Sequence, residues 1–142
     1  MIKLLLLVAI VVLITMACAR RFSDSRGRIS DKPAVSVSYS NVGADEFQTV
    51  IATEQMQLLD VRTREEYDEG HIAGAVLVDV NDSDFVEKAV SVLDKQRPVA
   101  VYCRSGRRSA RAASLLTEQG YVVTNLDGGV IEWQGAGKTL IR

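Results

Sequence analysis

The sequence predicts an α/β fold, a central and mainly parallel sheet with helices on both faces. Three observations carry this. Short apolar runs alternate with segments of helical period from about residue 43 onward. The apolar runs are continuous rather than half polar, as in strands buried on both sides. The chain has 142 residues, 47% hydrophobic and 25% charged, enough to bury one compact core and little more.

The elements follow in order. "GADEFQTVIAT" (Gly43 to Thr53) places acidic residues in a first turn and Phe47, Val50 and Ile51 at helical spacing. "MQLLDV" is a short buried strand. In "TREEYDEG", Thr63 and Glu66 have the spacing of a capping box and Gly70 closes the far end, so a short helix is expected. "AVLVDV", Ala75 to Val80, is the next strand. "SDFVEKAVSVLDK" repeats Phe85, Ala89, Val92 and Leu93 on one helical face. "PVAVY" is an apolar strand after Pro98. "RRSARAASLLTEQG" is a helix ended by Gly120, "YVVTNL" is a strand, and "GGVIEWQGAG" is a last short helix.

The chain divides into three parts: 1–19, 20–40 and 41–142. "MIKLLLLVAIVVLITMACARRF" has the layout of a secretory signal: a lysine, a greasy segment, then small residues. It is short for a membrane span. "TMAC" resembles the lipobox of bacterial lipoproteins, with Cys18 as the residue to be lipidated and Thr15 standing where that pattern has Leu. The expected location is therefore membrane-associated, as an exported lipoprotein of the cell envelope. The alternative is an uncleaved anchor with a cytoplasmic domain, which Arg20, Arg21, Arg26 and Arg28 on the distal flank favour. Residues 20–40 are rich in Ser, Asp, Arg, Gly and Lys and read as a flexible tether.

A formal net charge of -1 argues against a general nucleic-acid binder. Two cysteines and one histidine, without paired spacing, give no basis for a structural metal. Nothing suggests an obligate assembly, and a monomer is expected. The chemistry concentrates in "VAVYCRSGRRSARAASLL". Cys103 follows a strand directly, so it lies at the carboxyl edge of the sheet, where ligands bind in such folds. Arg104, Ser105, Gly106, Arg107, Arg108 and Ser109 then lead into a helix, with Arg111 one turn further on. The free N–H groups of a helix start carry partial positive charge, and Gly106 lets the chain curl them toward one point. A thiol held there and among arginines is expected to be a thiolate at neutral pH, nucleophilic without a histidine base. The same cradle suits a small, doubly charged oxyanion.

"LLDVRTREEYDEGHIAGAVLVDV", "VYCRSGRRSARAASLL" and "LDGGVIEWQGAG" together resemble a single-domain rhodanese, from about Val42 to Leu140. The resemblance implies a rhodanese-like fold and a sulfurtransferase that uses no cofactor. Cys103 would attack the outer sulfur of thiosulfate or a similar small anion, carry it as a persulfide, and yield it to a thiol or to cyanide. By the same resemblance the backbone from Arg104 to Ser109 forms the cradle, with Arg104, Arg107 and Arg108 as substrate contacts. Asp60 and Arg62 then support the site, with Asp60 as a structural partner. His71 reads as a structural residue that fixes nearby backbone, and Trp133 as packing; Gly128 and Gly129 permit a tight turn. Two other readings stay open. One is a dedicated persulfide carrier or interaction module for a membrane-associated partner. The other is a cysteine-dependent phosphatase, disfavoured because Ser109 stands where that chemistry needs an arginine.

Overall fold

The computed structural model describes residues 38–142. Five strands form one sheet: β1 (Ser40–Val42), β2 (Gln57–Asp60), β3 (Val76–Leu77), β4 (Val99–Tyr102) and β5 (Val123–Leu126). Five helices connect them: α1 (Ala44–Ile51), α2 (Arg64–Glu69), α3 (Phe85–Val92), α4 (Arg107–Glu118) and α5 (Gly129–Gly135). The strand order is β1-β5-β4-β2-β3, and every pairing is parallel.

Alternate side chains of each central strand serve two cores. Leu59, Val99, Val101 and Val123 pack with Phe85 and Ala89 of α3 and with Ala112, Ala113 and Leu116 of α4. Leu58, Ala100, Tyr102 and Leu126 pack on the other face with Phe47 of α1 and with Val130 and Trp133 of α5. This two-sided burial is why the strands read as unbroken apolar runs. Phe47 meets Tyr102 and Trp133 edge to face, with ring centroids 6.5 and 6.3 Å away.

β2 and β4 are neighbours, yet β2 connects outward to β3 while β4 connects the opposite way to β5. Their carboxyl ends therefore face a crevice where the winding reverses, the position at which open parallel sheets bind ligands. Asp60 ends β2 and Cys103 follows β4 at that edge.

The strand expected over Ala75–Val80 is shorter, covering only Val76–Leu77. β2 stops at Asp60 because the Arg62 N–H turns back onto the Asp60 carboxylate at 3.0 Å. Beyond Leu77 only single contacts persist, from the Val78 N–H to the Asp60 carbonyl (2.9 Å) and from the Val80 N–H to that of Val61 (3.2 Å). β1 is a strand not anticipated in the sequence, and it begins at Ser40, the last residue of the segment read as a tether. Among its residues only Val42 is buried, so no apolar run announces it. Residues 1–37, with the signal-like segment and Cys18, lie outside the described residues. No helix among the described residues is long and apolar enough to cross a membrane.

Candidate active site

Cys103 sits where β4 gives way to the loop that opens α4. Its side chain is 1% exposed, at the floor of that loop. The Gly106 N–H donates to Cys103 Sγ at 3.1 Å, and Ser109 Oγ lies 3.4 Å from the same sulfur. Ser109 Oγ is also 3.1 Å from the Gly106 carbonyl oxygen. One hydroxyl proton cannot serve both acceptors at once, so Ser109 can turn it to the sulfur when charge develops there. Burial by itself would raise the Cys103 pKa. Hydrogen bonds from the Ser109 hydroxyl and from the N–H groups of Ser109, Ser105 and Gly106 outweigh it and bring the thiol below its ordinary value.

The peptide planes explain how so many donors face one atom. The carbonyl groups of Cys103 and Arg104 point away from the sulfur, accepting from the N–H groups of Val130 (3.0 Å) and Ile131 (3.2 Å) at the start of α5. Gly106 has φ +94°, a left-handed conformation, and its position leaves no room for a side chain. A Cβ there would stand 1.7 Å from the Asp127 carbonyl oxygen. Gly129 meets the loop from the other side, where a Cβ would lie 2.4 Å from the Arg104 carbonyl. The two glycines let the 103–106 loop and the 127–129 turn press backbone against backbone. Glu132 holds that turn in place. Its carboxylate accepts from the Gly128 N–H (3.0 Å) and from the Ala44 N–H that opens α1 (3.2 Å).

The arginines divide by partner. Arg108 forks onto the Glu66 carboxylate with two contacts of 2.7 Å. The guanidinium holds the Glu66 pKa at about 2, and Glu66 also completes the capping box of α2 with Thr63. Arg111 donates to the Val80 carbonyl. Arg104 and Arg107 are exposed and have no ion-pair partner among the described residues. Among those residues no guanidinium hydrogen-bonds Cys103 Sγ; the direct donors are the Gly106 amide and the Ser109 hydroxyl. The sulfur is thus met by backbone and a hydroxyl, and the exposed guanidinium groups of Arg104 and Arg107 stand at the rim. Arg108 lies within electrostatic reach of the sulfur.

Asp60 and Arg62 form a buried pair at 2.7 Å, 0% and 4% exposed, and Arg62 also donates to the Gly70 carbonyl at 2.8 Å. All this occupies the Arg62 guanidinium in tying β2 to the end of α2. His71 stacks on Tyr67, ring centroids 3.7 Å apart, with Nδ1 3.1 Å from the Tyr67 carbonyl oxygen. Its backbone exchanges two hydrogen bonds with Ile141, at 2.9 and 2.8 Å. Trp133 donates its indole N–H to the Thr139 carbonyl at 3.0 Å and fills the second core. Sequence reasoning did not find the Glu66–Arg108 fork or the Glu132 clamp. Glu66 carried a signal only as a capping residue, and nothing local marks Glu132 as the partner of Ala44.

The family model "Rhodanese-like domain" matches residues 43–136, and the chain belongs to that family. It is 37% identical over 95 residues to a sulfurtransferase of Allochromatium vinosum, covering 66% of this chain and 86% of that protein. It is 33% identical over 101 residues to the thiosulfate sulfurtransferase GlpE of Shewanella oneidensis, covering 70% of this chain and 96% of that one. Among solved structures, the solution structure of the rhodanese-like domain of an Anabaena protein superposes with a TM-score of 0.63 at 30% identity. It covers 72% of this chain and 77% of the Anabaena chain.

Proposed function

We propose that the protein is a rhodanese-type sulfurtransferase that takes the outer sulfur of thiosulfate onto Cys103. The thiolate attacks that sulfur, the S–S bond of thiosulfate breaks, and sulfite leaves with the bonding electrons. A Cys103 persulfide remains. The observation that supports this best is the meeting of the Gly106 N–H and the Ser109 hydroxyl on one buried sulfur, in surroundings that lower its pKa. Those donors stabilise the attacking thiolate, and stabilise it again when the outer sulfur passes to an acceptor and Cys103 is regenerated. Arg104 and Arg107, free of ion pairs at the rim, suit the recruitment of a dianion. A small thiol in the cell, or cyanide in the laboratory, then removes the sulfur.

We place the domain at a membrane through residues 1–40, with Cys18 as the lipidated residue. Incorporation of a labelled fatty acid into the full chain, lost in Cys18→Ala, tests this.

The decisive experiment incubates the protein with thiosulfate, then follows intact mass and thiocyanate formation with cyanide. The wild type gains one sulfur and turns over; Cys103→Ser does neither. Release of phosphate from an aryl phosphate, without sulfur uptake, overturns the reading. Sulfur uptake with no transfer to any small acceptor identifies a carrier for a protein partner instead.

A further inference from the structure

Two cavities flank the Cys103 loop, and their chemistry differs. One, of about 310 Å³, is lined by Ser105, Arg107, Arg108 and Arg111 and presents only positive charge. The other, of about 350 Å³, adjoins Arg104 and the start of α5. It carries both signs of charge. Arg62 and Glu66 contribute to its wall, but each already has a counter-ion, Asp60 and Arg108 respectively. The charges left over are the Arg104 guanidinium and the Glu69 carboxylate, neither of which makes an ion pair among the described residues. Arg142 reaches Glu69 only at its backbone carbonyl, at 3.2 Å. Ile131, 56% exposed, and Leu140 give the cavity an apolar lip.

We propose that this second cavity is the acceptor subsite of the sulfurtransferase and that it takes a small zwitterionic thiol, an amino-acid or short-peptide thiol bearing one ammonium and one carboxylate. The proposal rests on the reading of Cys103 as the sulfur-carrying residue. A carboxylate on the acceptor complements Arg104, an ammonium complements Glu69, and the aliphatic part lies on Ile131 and Leu140. A volume of about 350 Å³ fits a molecule of that size and is at the small end for ligand pockets. A purely anionic acceptor would suit the first cavity better, where Arg107 is unpaired among the described residues and no carboxylate lines the wall. A neutral thiol would leave both free charges here without partners.

The transfer itself balances simply. The acceptor thiolate attacks the outer sulfur of the protonated Cys103 persulfide, and a new S–S bond forms to the acceptor. The bond between the outer sulfur and Cys103 Sγ breaks, and its electron pair returns to Cys103 as thiolate. The proton stays on the transferred sulfur, so no oxidant or reductant is consumed.

The test isolates the second half of the cycle. Protein is loaded with inorganic polysulfide, freed of excess, and mixed with cysteine, cysteamine, mercaptopropionate or mercaptoethanol at equal thiolate concentration. Persulfide loss is followed by intact mass. In the wild type, cysteine is expected to react about three to ten times faster than mercaptoethanol, the scale of partly exposed charge contacts. Arg104→Ala should erase the advantage conferred by a carboxylate, and Glu69→Gln that conferred by an ammonium. S-methylcysteine, which cannot accept sulfur, should slow transfer to cysteine in the wild type, a readout independent of any variant. Equal rates for all four thiols, or a preference that survives both substitutions, overturns the subsite. Because polysulfide does the loading, failure of thiosulfate as donor is seen separately and overturns only the donor assignment.

Discussion

Arg108 of α4 and Glu66 of α2 meet in a forked ion pair, both contacts 2.7 Å, across 42 residues of chain. The fork joins the helix that carries the thiolate loop to the helix that follows β2. Glu66 has a folded-state pKa of about 2, below its ordinary value of 4.5. Its contribution to stability is therefore complete above pH 4.5 and is lost as pH falls through about 2. Glu66→Gln removes the charge and keeps an acceptor for the Thr63 N–H. Because the pair is partly exposed, it should destabilise by about 0.5–1 kcal/mol at neutral pH. Denaturant titrations over a pH series should show that difference constant down to pH 4.5 and shrinking below it.

The lowered pKa of Cys103 gives a second expectation, on reactivity. Alkylation by iodoacetamide should follow a titration with its midpoint below that of a free thiol. Ser109→Ala removes the hydroxyl donor without disturbing the helix. The midpoint should then move up, and both alkylation and sulfur uptake at neutral pH should slow several-fold. An unchanged midpoint would mean that the backbone amides alone set the thiol.

Gly106→Ala confronts the loop with two costs. A left-handed backbone disfavours a side chain, and the new Cβ meets the Asp127 carbonyl. A loss of about 2–4 kcal/mol is expected, read as a fall in melting temperature, together with loss of sulfur uptake. Retention of full uptake in a stable Gly106→Ala protein would contradict the close packing of loop on turn.

The buried Asp60–Arg62 pair predicts a third stability effect. Asp60→Asn leaves the Arg62 guanidinium, 4% exposed, without its counter-charge. Stability should fall by about 3–5 kcal/mol in chemical denaturation. A double substitution of both residues by apolar ones should recover part of that loss, because no uncompensated charge then remains.

How much of this was legible beforehand depended on how local each feature was. Strands such as Val99–Tyr102 are buried on both faces, so their apolar runs stood out in the sequence. Ser40–Val42 buries a single side chain and gave no such run. The strand at Val76–Leu77 was read too long, because its partner β2 turns away at Asp60 through a side chain-to-backbone contact that periodicity does not register. At the site, the cysteine, glycine and helix start are contiguous, and the amide-lined loop could be anticipated from them. The Glu66–Arg108 fork and the contact of Glu132 with Ala44, 88 residues apart, arise only when helices meet. What the sequence did not separate is the arginines: Arg108 is taken up by Glu66 and Arg111 by the Val80 carbonyl, partners that lie far off along the chain, while Arg104 and Arg107 stay exposed.

The two carbonyl groups turned toward Val130 and Ile131 carry a consequence for engineering. The seven residues from Cys103 to Ser109 do not constitute a portable warhead. Transplanted onto another strand–helix junction without the final helix behind them, those oxygens would have nothing to bind. They would swing inward toward the sulfur, and the graft would display an ordinary, sluggish thiol. The loop's shape here belongs to the junction of two segments, and a minimal version of this site must keep both.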